Sequence, residues 1–482
     1  MRSGLGAALG CFFVASCLAE NPGGGAESGG DTTEDTDDPS ETTGVPAADN
    51  MIGCPAGETC WVVLAAQTLD DRVEIFGAPA GEEPAYRGAI DLDLKPGTEI
   101  GPLDEPFGMV LSDTGLHVIT GHYPSTERGA MLSFPSAFFD GRDAGLIDVD
   151  EFFGGAFNNG VIETRFDEVE PIFAFPRPVS GKLLVSVFAN DLFAGEETWT
   201  SPGKLAVVDA ADPSDFALTT LNGLEGGDCL GASQLILLQD DQTAAVACDG
   251  NEGVAFLDLG DLSGSVADAA NGITGSYCDL PFPSDRRVRY LAHDGFGGVL
   301  VGVGPSINPS IASQVFSVTP GSMPADCTFE PIQVADSDGQ LGELVPFGAA
   351  HWLLAQGALA PEGDRGVQVI APDGICNTLP GLEDAWETDG DRLSPYAITV
   401  APDGEHLLIG AATAQVGSIQ NAIYGKVLWV TLSGASDPCT MTASAVDLTD
   451  GGAGRAPAPL GGDEKTWRRS PIVVTLTEVQ GA

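Results

Sequence analysis

Apolar residues along most of this chain occur in short runs that are separated by tight polar turns. The segment Ser394–Thr413 (SPYAITVAPDGEHLLIGAAT) is the clearest example, because its runs Tyr396–Val400 and His406–Gly410 flank the turn Pro402–Glu405. β-Branched residues within such runs, and Pro, Asp and Gly between them, are typical of β-strands joined by a turn. The segment therefore predicts a β-hairpin.

Loosely related hairpins recur along the chain. Copies begin roughly 50 to 65 residues apart, a spacing compatible with a propeller blade that carries inserted loops. The copies are Pro106–Tyr123, Pro171–Phe188, Ala232–Cys248, Arg289–Val303 and Glu343–Gln356. A third apolar run follows most of them, at Lys204–Asp209, Gly253–Asp258, Gln314–Val318, Gly366–Ile370 and Lys426–Val430. A weaker fourth run comes next, and four antiparallel strands repeated around a ring form a β-propeller with few open edges.

The two ends of the chain indicate how many blades there are. Trp61–Ala66, Arg72–Phe76 and Ala89–Leu94 resemble the second, third and fourth strands of a blade that lacks its first. Arg469–Val474 (RSPIVV) aligns with the first strand Leu393–Thr399 (LSPYAIT) through a shared Ser-Pro. We therefore expect an all-β protein: a seven-bladed β-propeller of four-stranded antiparallel blades over residues 53–482, closed by the C-terminal strand. Six or eight blades are the alternatives.

Two segments carry a family resemblance. SPYAITVAPDGEHLLIGA and GKLAVVDAADP resemble the YVTN-type seven-bladed propellers of bacteria, although the YVTN tetrapeptide is degraded here to LIGA, VITG and LVSV. The resemblance implies a fold and leaves the activity open, because propellers of this kind include scaffolds, ligand binders and a few enzymes such as lactonases.

The N-terminus predicts export. Residues 1–16 combine Arg2 with a short apolar segment, as in a secretion signal too short to span a bilayer. Val14–Cys17 resembles a bacterial lipobox, which implies a lipid on Cys17; cleavage near Ala19 is the alternative. Residues 17–52 are acidic and rich in Gly, Ser and Thr, which predicts a disordered linker. We expect a membrane-anchored protein of the bacterial cell envelope, on the outer membrane and facing the periplasm or the exterior.

The net charge of the chain argues against one class of partner. The chain has 70 Asp and Glu against 20 Lys and Arg, a net charge of −50. Nucleic-acid binding is not expected, because phosphates would be repelled. No cofactor is expected, with Ca²⁺ as the alternative. Asp336 and Asp338 resemble the start of a calcium loop, and Asp389 and Asp391 form a second acidic pair, but neither has the full ligand spacing.

The cysteines predict disulfides in an exported chain. Besides Cys11 and Cys17, eight remain. Cys54 and Cys60 can close a small loop, and Cys229 and Cys248 lie at the ends of adjacent predicted strands. The sequence does not pair the other four, and no CxxC or HxxxH spacing supports a metal site. The unpaired four are Cys278, Cys327, Cys376 and Cys439.

Histidines give weak catalytic signals. His117 and His406 occupy matching places after a hairpin turn, which indicates a structural role. His293 and Asp294 could form an acid–base pair, but turn chemistry explains such neighbours more often. No GxSxG, P-loop or dinucleotide-binding motif is present.

Loop lengths predict where a site would lie. Connections between the second and third strands are often long, and in an up-and-down blade they all fall on one face. We expect this face to surround the mouth of the central channel and to bind any ligand, through Tyr123, Glu127, Arg128, Trp199, Glu362, Arg365 and Tyr424. The leading hypothesis is a non-catalytic module that binds a protein or glycan there. The alternative is an exported metal-dependent hydrolase of the lactonase type with its site at the channel mouth, and a third is a simple spacer.

Overall fold

The computed structural model describes the blades and leaves out several connections. It covers residues 54–55, 57–67, 72–92, 106–120, 129–135, 145–148, 161–166, 171–175, 177–190, 199–238, 241–281, 286–305, 314–321, 327–332, 341–356, 366–388, 391–413, 425–450, 452 and 471–480. The signal peptide 1–16, Cys17 and the linker 17–52 lie outside the described residues. Within them, no helix has the length and apolar character needed to cross a membrane.

Seven sheets make up the fold. Blade one contains β1 (Thr59–Gln67), β2 (Arg72–Pro79), β3 (Ala85–Asp91) and β7 (Gly145–Asp148). Blade two contains β4 (Pro106–Ser112), β5 (Gly115–Thr120), β6 (Ala130–Pro135) and β8 (Ile162–Arg165), and blade three contains β9 (Pro171–Ala174), β10 (Lys182–Val187), β11 (Lys204–Asp209) and β12 (Phe216–Thr220). Blades four and five contain β13 (Ala232–Leu237), β14 (Thr243–Cys248), β15 (Gly253–Asp258), β16 (Thr274–Asp279); and β17 (Arg286–His293), β18 (Val299–Pro305), β19 (Gln314–Thr319), β20 (Thr328–Ile332). The last two contain β21 (Leu341–Phe347), β22 (His351–Gln356), β23 (Gly366–Ala371), β24 (Gly374–Thr378); and β25 (Glu387–Thr388), β26 (Asp391–Val400), β27 (His406–Thr413), β28 (Gly425–Ser433), β29 (Thr442–Asp447), followed by β30 (Pro471–Gln480).

The C-terminal strand closes the ring, as the sequence predicts. β30 pairs antiparallel with β1, with Val63 opposite Leu476, and supplies the first strand of blade one. The first strands of the blades, called the inner strands here, are β4, β9, β13, β17, β21, β26 and β30. Each inner strand contacts the next one, and β30 contacts β4, so the cycle is complete. The prediction of seven blades is therefore confirmed.

Alternating side chains of each blade pack against its two neighbours. Val62 and Leu64 of β1 lie in the core shared with Met109 of blade two. Trp61 and Val63, which point the other way, lie in the core shared with blade seven. Because both faces of a blade are buried, its strands are nearly continuous apolar runs.

A β-bulge interrupts every inner strand near its start. In β26, for example, Pro395 pairs with Ala411 and Ala397 with Gly410, which leaves Tyr396 without an opposite residue. The equivalent shifts follow Pro106, Pro171, Ala232, Val288, Leu341 and Pro471. Proline suits a position beside a bulge because it donates no ladder hydrogen bond. The shared Ser-Pro of the sequence thus marks a shared bulge.

Several elements depart from the plain repeat. β7 pairs in parallel with β3, which adds a fifth strand to the outer edge of blade one. The helix α1 (Val266–Gly272) lies between β15 and β16, and the side chain of Ser265 caps it by accepting the N–H of Asp268. A 3₁₀ turn spans Glu383–Trp386. The apolar pattern of the hairpins does not predict these additions.

The described residues contain four disulfides. Cys54–Cys60 and Cys229–Cys248 form as predicted. Cys278–Cys327 joins blade four to blade five, and Cys376–Cys439 joins blade six to blade seven. Both of these link the outer strand of one blade to the start of the outer strand of the next, a geometry that the sequence repeat alone does not give.

Candidate functional site

The ring of bulges places side chains at one mouth of the channel. Each bulge lies near the start of its inner strand, at the end of the blade where the second strand finishes and the connection to the third begins. This is the long-loop face predicted from the sequence. Bulges re-aim side chains and are enriched next to active sites. Those with described side chains carry Phe107, Ile172, Ser233 with Gln234, Gly342 with Glu343, and Tyr396.

Glu343 is the ionisable group that this arrangement singles out. Its Oε2 accepts a hydrogen bond of 2.9 Å from the N–H of Ile398 on the next inner strand. That N–H lies on the free edge of β26, because the N–H of Ala401 already points to the partner strand and strand edges alternate. The side chain is half-buried, and burial raises the pKa of Glu343 to about 7 against the opposing effect of the Ile398 bond.

Blade four has the same arrangement with an uncharged group. Gln234 occupies the position equivalent to Glu343, since both directly precede the residue at which pairing resumes. Its Oε1 accepts the N–H of Leu291 on the next inner strand. An amide therefore makes the bridge between blades four and five that a carboxyl makes between blades six and seven.

Tyr396 provides a second polar group beside Glu343. It is the bulge residue of the inner strand that Glu343 contacts. Burial raises the pKa of Tyr396 to about 12, so its phenol is protonated at neutral pH. Within the described part of the chain no hydrogen bond joins this phenol to another group.

A buried charged cluster lies on the same face between blades three and five. Arg287 of β17 approaches Glu252, with 3.4 Å between Nη1 and Oε1, and lies 4.0 Å from the buried carboxylate of Asp249. Its guanidinium lies 5.4 Å from the centre of the Trp199 ring, which packs edge-on against Phe188. The cluster joins three blades by charge and ring packing, and burial of its members indicates a structural role.

Most of the loop residues predicted for ligand binding fall outside the described residues. This applies to Tyr123, Glu127, Arg128, Glu362, Arg365 and Tyr424. Trp199 is described and lies at the predicted face, but only 7% of its surface is exposed. Binding by these residues stays a prediction.

The described histidines lie away from the mouth. A hydrogen bond of 2.9 Å joins Nδ1 of His117 to the hydroxyl of Ser133, and burial lowers the pKa of His117 to about 4. His406 pairs with Asp403 at 2.7 Å and stacks on Trp429 beside a hairpin turn. Burial also lowers the pKa of His293, while the Asp294 carboxylate accepts two backbone N–H groups of its turn.

The described carboxylates offer no cation site. Of the residues placed by the structure, the group with three metal-type ligands close together is His351, Cys376 and Cys439, which contains no carboxylate. Asp336, Asp338 and Asp389 lie outside the described residues, as does the side chain of Asp391. The calcium alternative thus stays a prediction.

Sequence comparisons identify no relatives, whereas structural comparison finds similar propellers. No protein-family model and no curated protein matches the chain. One similar solved structure is provisionally described as a 6-phosphogluconolactonase from Bacteroides uniformis (9% identity, 87% of this chain and 100% of that chain, TM-score 0.47). Another, described in the same way, is from Bacteroides fragilis (9%, 87% and 98%, TM-score 0.49). A third is a periplasmic gluconolactonase from Pseudomonas aeruginosa (11%, 88% and 100%, TM-score 0.47).

The leading prediction, a non-catalytic binding or interaction module, is wrong. Three of the similar structures are described as lactonases, two of them provisionally, and this is the class named in the alternative. At the equivalent bulge position, blade six carries the carboxyl of Glu343 and blade four the neutral amide of Gln234. Reasoning from sequence missed Glu343 because it appeared only as the first residue of a hairpin copy. The available signal was its carboxyl, because the matching places Phe107, Ile172 and Tyr396 are apolar or aromatic and Gln234 is an uncharged amide.

Proposed function

We propose that this protein is a lactonase-type hydrolase whose site is the mouth of the channel and whose acid–base group is Glu343. The position and pKa of Glu343 carry the proposal. A carboxyl that titrates at about pH 7 can take up and return a proton under physiological conditions, whereas an ordinary Glu stays ionised there. The lactonase descriptions of similar propellers agree with this class of reaction and do not identify the substrate.

The chemistry is the hydrolysis of a cyclic ester. Ionised Glu343 takes a proton from a water molecule in the channel as the water oxygen bonds to the lactone carbonyl carbon. The bond between that carbon and the ring oxygen then breaks, and Glu343 returns the proton to the departing alkoxide. One water is consumed, and the product is an open-chain hydroxy acid.

Tyr396 supplies the complementary donor. Its protonated phenol lies on the neighbouring inner strand and can donate a hydrogen bond to the carbonyl oxygen, on which negative charge develops during attack. The backbone N–H of Ile398 holds Glu343 through Oε2 and leaves Oε1 for water. The bond from Ile398 therefore orients the carboxyl while occupying only one of its two oxygens.

The test compares two Glu→Gln variants on a panel of γ- and δ-lactones. Glu343→Gln keeps an acceptor for Ile398 and removes the titrating group, so we expect hydrolysis to be lost. Glu163→Gln is the matched control, because Glu163 is on the outer strand β8, where it pairs with Arg165 at 2.7 Å. Hydrolysis by the wild type that persists in Glu343→Gln would overturn the role of Glu343, and absence of hydrolysis across the panel in the wild type would overturn the lactonase class.

We also propose that the chain is exported and held at the bacterial outer membrane by a lipid on Cys17. The lipobox-like Val14–Cys17 and the acidic linker 17–52 support this anchor. Metabolic labelling with a fatty acid should mark the wild type and leave Cys17→Ser unlabelled. Equal labelling of both proteins would contradict the anchor.

A further inference from the structure

We propose that His351, Cys376 and Cys439 form a redox-gated zinc site between blades six and seven. The three residues come from different elements: His351 begins β22, Cys376 lies in β24, and Cys439 precedes β29. Their ligand atoms all lie within 4.8 Å of one another, and each residue is half-buried. Nothing in the proposed hydrolase chemistry uses them, so the inference is independent of it.

The geometry suits a tetrahedral ion. Ligand atoms bonded to zinc at about 2.0–2.3 Å in tetrahedral geometry lie about 3.5–3.8 Å apart. The distance between His351 Nε2 and Cys439 Sγ is 3.6 Å. Two thiolates and one imidazole are among the ligands that zinc prefers, and a water can take the fourth position.

A β-bulge brings Cys376 to this place. Val369 pairs with Asn377 and Ile370 with Ile375, so Cys376 is the extra residue of β24. The bulge re-aims its side chain relative to the regular strand. The site therefore depends on a local irregularity and not on any cysteine spacing in the sequence.

The disulfide gates the site. In the oxidised protein the two sulfurs are bonded to each other, so neither is a thiolate ligand. A dithiol reductant supplies two electrons and two protons, which breaks the S–S bond and yields two thiols while the dithiol becomes a disulfide. Each thiol then releases its proton as the metal–sulfur bond forms.

Other bonds hold the two blades together after reduction. Asn377 Nδ2 donates to the Met441 carbonyl at 2.9 Å, and the N–H of Ala443 donates to the Pro380 carbonyl at 2.9 Å. The residues in these contacts follow Cys376 and Cys439 in the sequence by one to four positions. The freed sulfurs can separate by side-chain rotation while the backbones stay close, which keeps the ligand set assembled.

Cobalt titration of the folded full chain tests the site. In the presence of a dithiol, Co²⁺ should produce sulfur-to-metal charge-transfer bands and tetrahedral d–d bands that saturate at one equivalent and disappear when Zn²⁺ is added. The oxidised protein should give no bands. His351→Ala should weaken binding at least about tenfold, by analogy with the loss of groups that orient metal ligands. His406→Ala is the matched control, because His406 begins the second strand of the next blade.

Two controls separate this site from the other cysteines and from unfolding. A double Cys278→Ser, Cys327→Ser variant removes the equivalent disulfide between blades four and five and should keep the bands, whereas a double Cys376→Ser, Cys439→Ser variant should lose them. If reduction unfolds the chain, Zn²⁺ should restore a cooperative thermal transition in the wild type and fail to do so in His351→Ala. Bands of equal intensity in the wild type and His351→Ala, or an absence of both bands and rescue, would overturn the proposal.

Discussion

Gln234 in blade four and Glu343 in blade six occupy the same bulge position and accept the same kind of hydrogen bond from the next inner strand. The two side chains differ only in their terminal group, which is an amide in Gln234 and a carboxyl in Glu343. Gln234 is 9% exposed and carries no charge, so it bridges two blades without any titration. Glu343 makes an equivalent bridge and also titrates near neutrality. Packing between neighbouring blades thus requires a hydrogen-bond acceptor at this position. The carboxyl of Glu343 can also take up and release a proton, which the packing does not require.

The largest effect is expected from the substitution that gives blade six the same amide that blade four has at this bulge position. Glu343→Gln should lower kcat for lactone hydrolysis by about 10²–10⁴-fold, the contribution usual for a positioned acid–base group. In the wild type the rate should rise with pH, reach half of its maximum near pH 7 and level about one unit above, because the ionised carboxyl is the active form. Steady-state kinetics across this range check both points. A rate in Glu343→Gln within threefold of that of Glu163→Gln would contradict the comparison.

A second prediction concerns stability as a function of pH. The pKa of Glu343 is about 7 in the folded state against an ordinary 4.5, so the folded state binds a proton between these values and the unfolded chain does not. Stability from this group is therefore lost as pH rises from about 4.5 to about 7, by at most on the order of 3 kcal/mol. Urea unfolding at several pH values should show this loss in the wild type and not in Glu343→Gln.

The reverse substitution sharpens that test. Gln234→Glu places a carboxyl in the more deeply buried position, so it should acquire a pH dependence of the same sign. A Glu343→Gln variant with the slope of the wild type would show that other groups cause the dependence.

A third prediction removes the acceptor at each position. Gln234→Leu leaves the N–H of Leu291 without its partner and should cost about 1–3 kcal/mol. Glu343→Leu should cost less above pH 7, since it also removes the penalty of a partly buried charge. Chemical denaturation of both variants at about pH 8 provides the measurement. A larger loss for Glu343→Leu would reverse the assigned roles.

The smallest effect concerns the point where the ring closes. Thr399 of blade seven donates its hydroxyl to the Val474 carbonyl at 2.8 Å, a neutral bridge to the closing strand β30. Thr399→Val should lower the free energy of unfolding by about 1 kcal/mol and leave lactone hydrolysis unchanged. Thermal unfolding checks the first point, and a change in kcat would connect this bridge to the site.

The strands and hairpins of the blades were largely predictable from the sequence, because the residue patterns that form them are local. The hairpin copies became β4–β5, β9–β10, β13–β14, β17–β18, β21–β22 and β26–β27, and the third runs Lys204–Asp209 and Gly253–Asp258 became β11 and β15 without a change of bounds. A strand buried on both faces needs apolar residues throughout, and a tight turn needs Gly, Asp or Pro, so both leave a mark in the sequence.

The candidate site was not predictable, because it depends on register. Glu343 matters through its place in a bulge and its bond to Ile398, 55 residues further along the chain. Neither relation appears in the local pattern, where Glu343 resembles any polar residue at the start of a strand. The same holds for Cys376 and Cys439, which have no recognisable spacing but meet across two blades.

By itself, the sequence determined the repeat and predicted seven blades, the closing strand and two disulfides, since each is recorded in apolar periodicity, turn residues or near neighbours. Only the tertiary structure decided which side chains face one another across the channel mouth and between blades. Ring closure brings distant inner strands side by side, and the burial that results moves the pKa of Glu343 into the neutral range. That burial arises from seven blades packed together, and no single segment of the chain contains it.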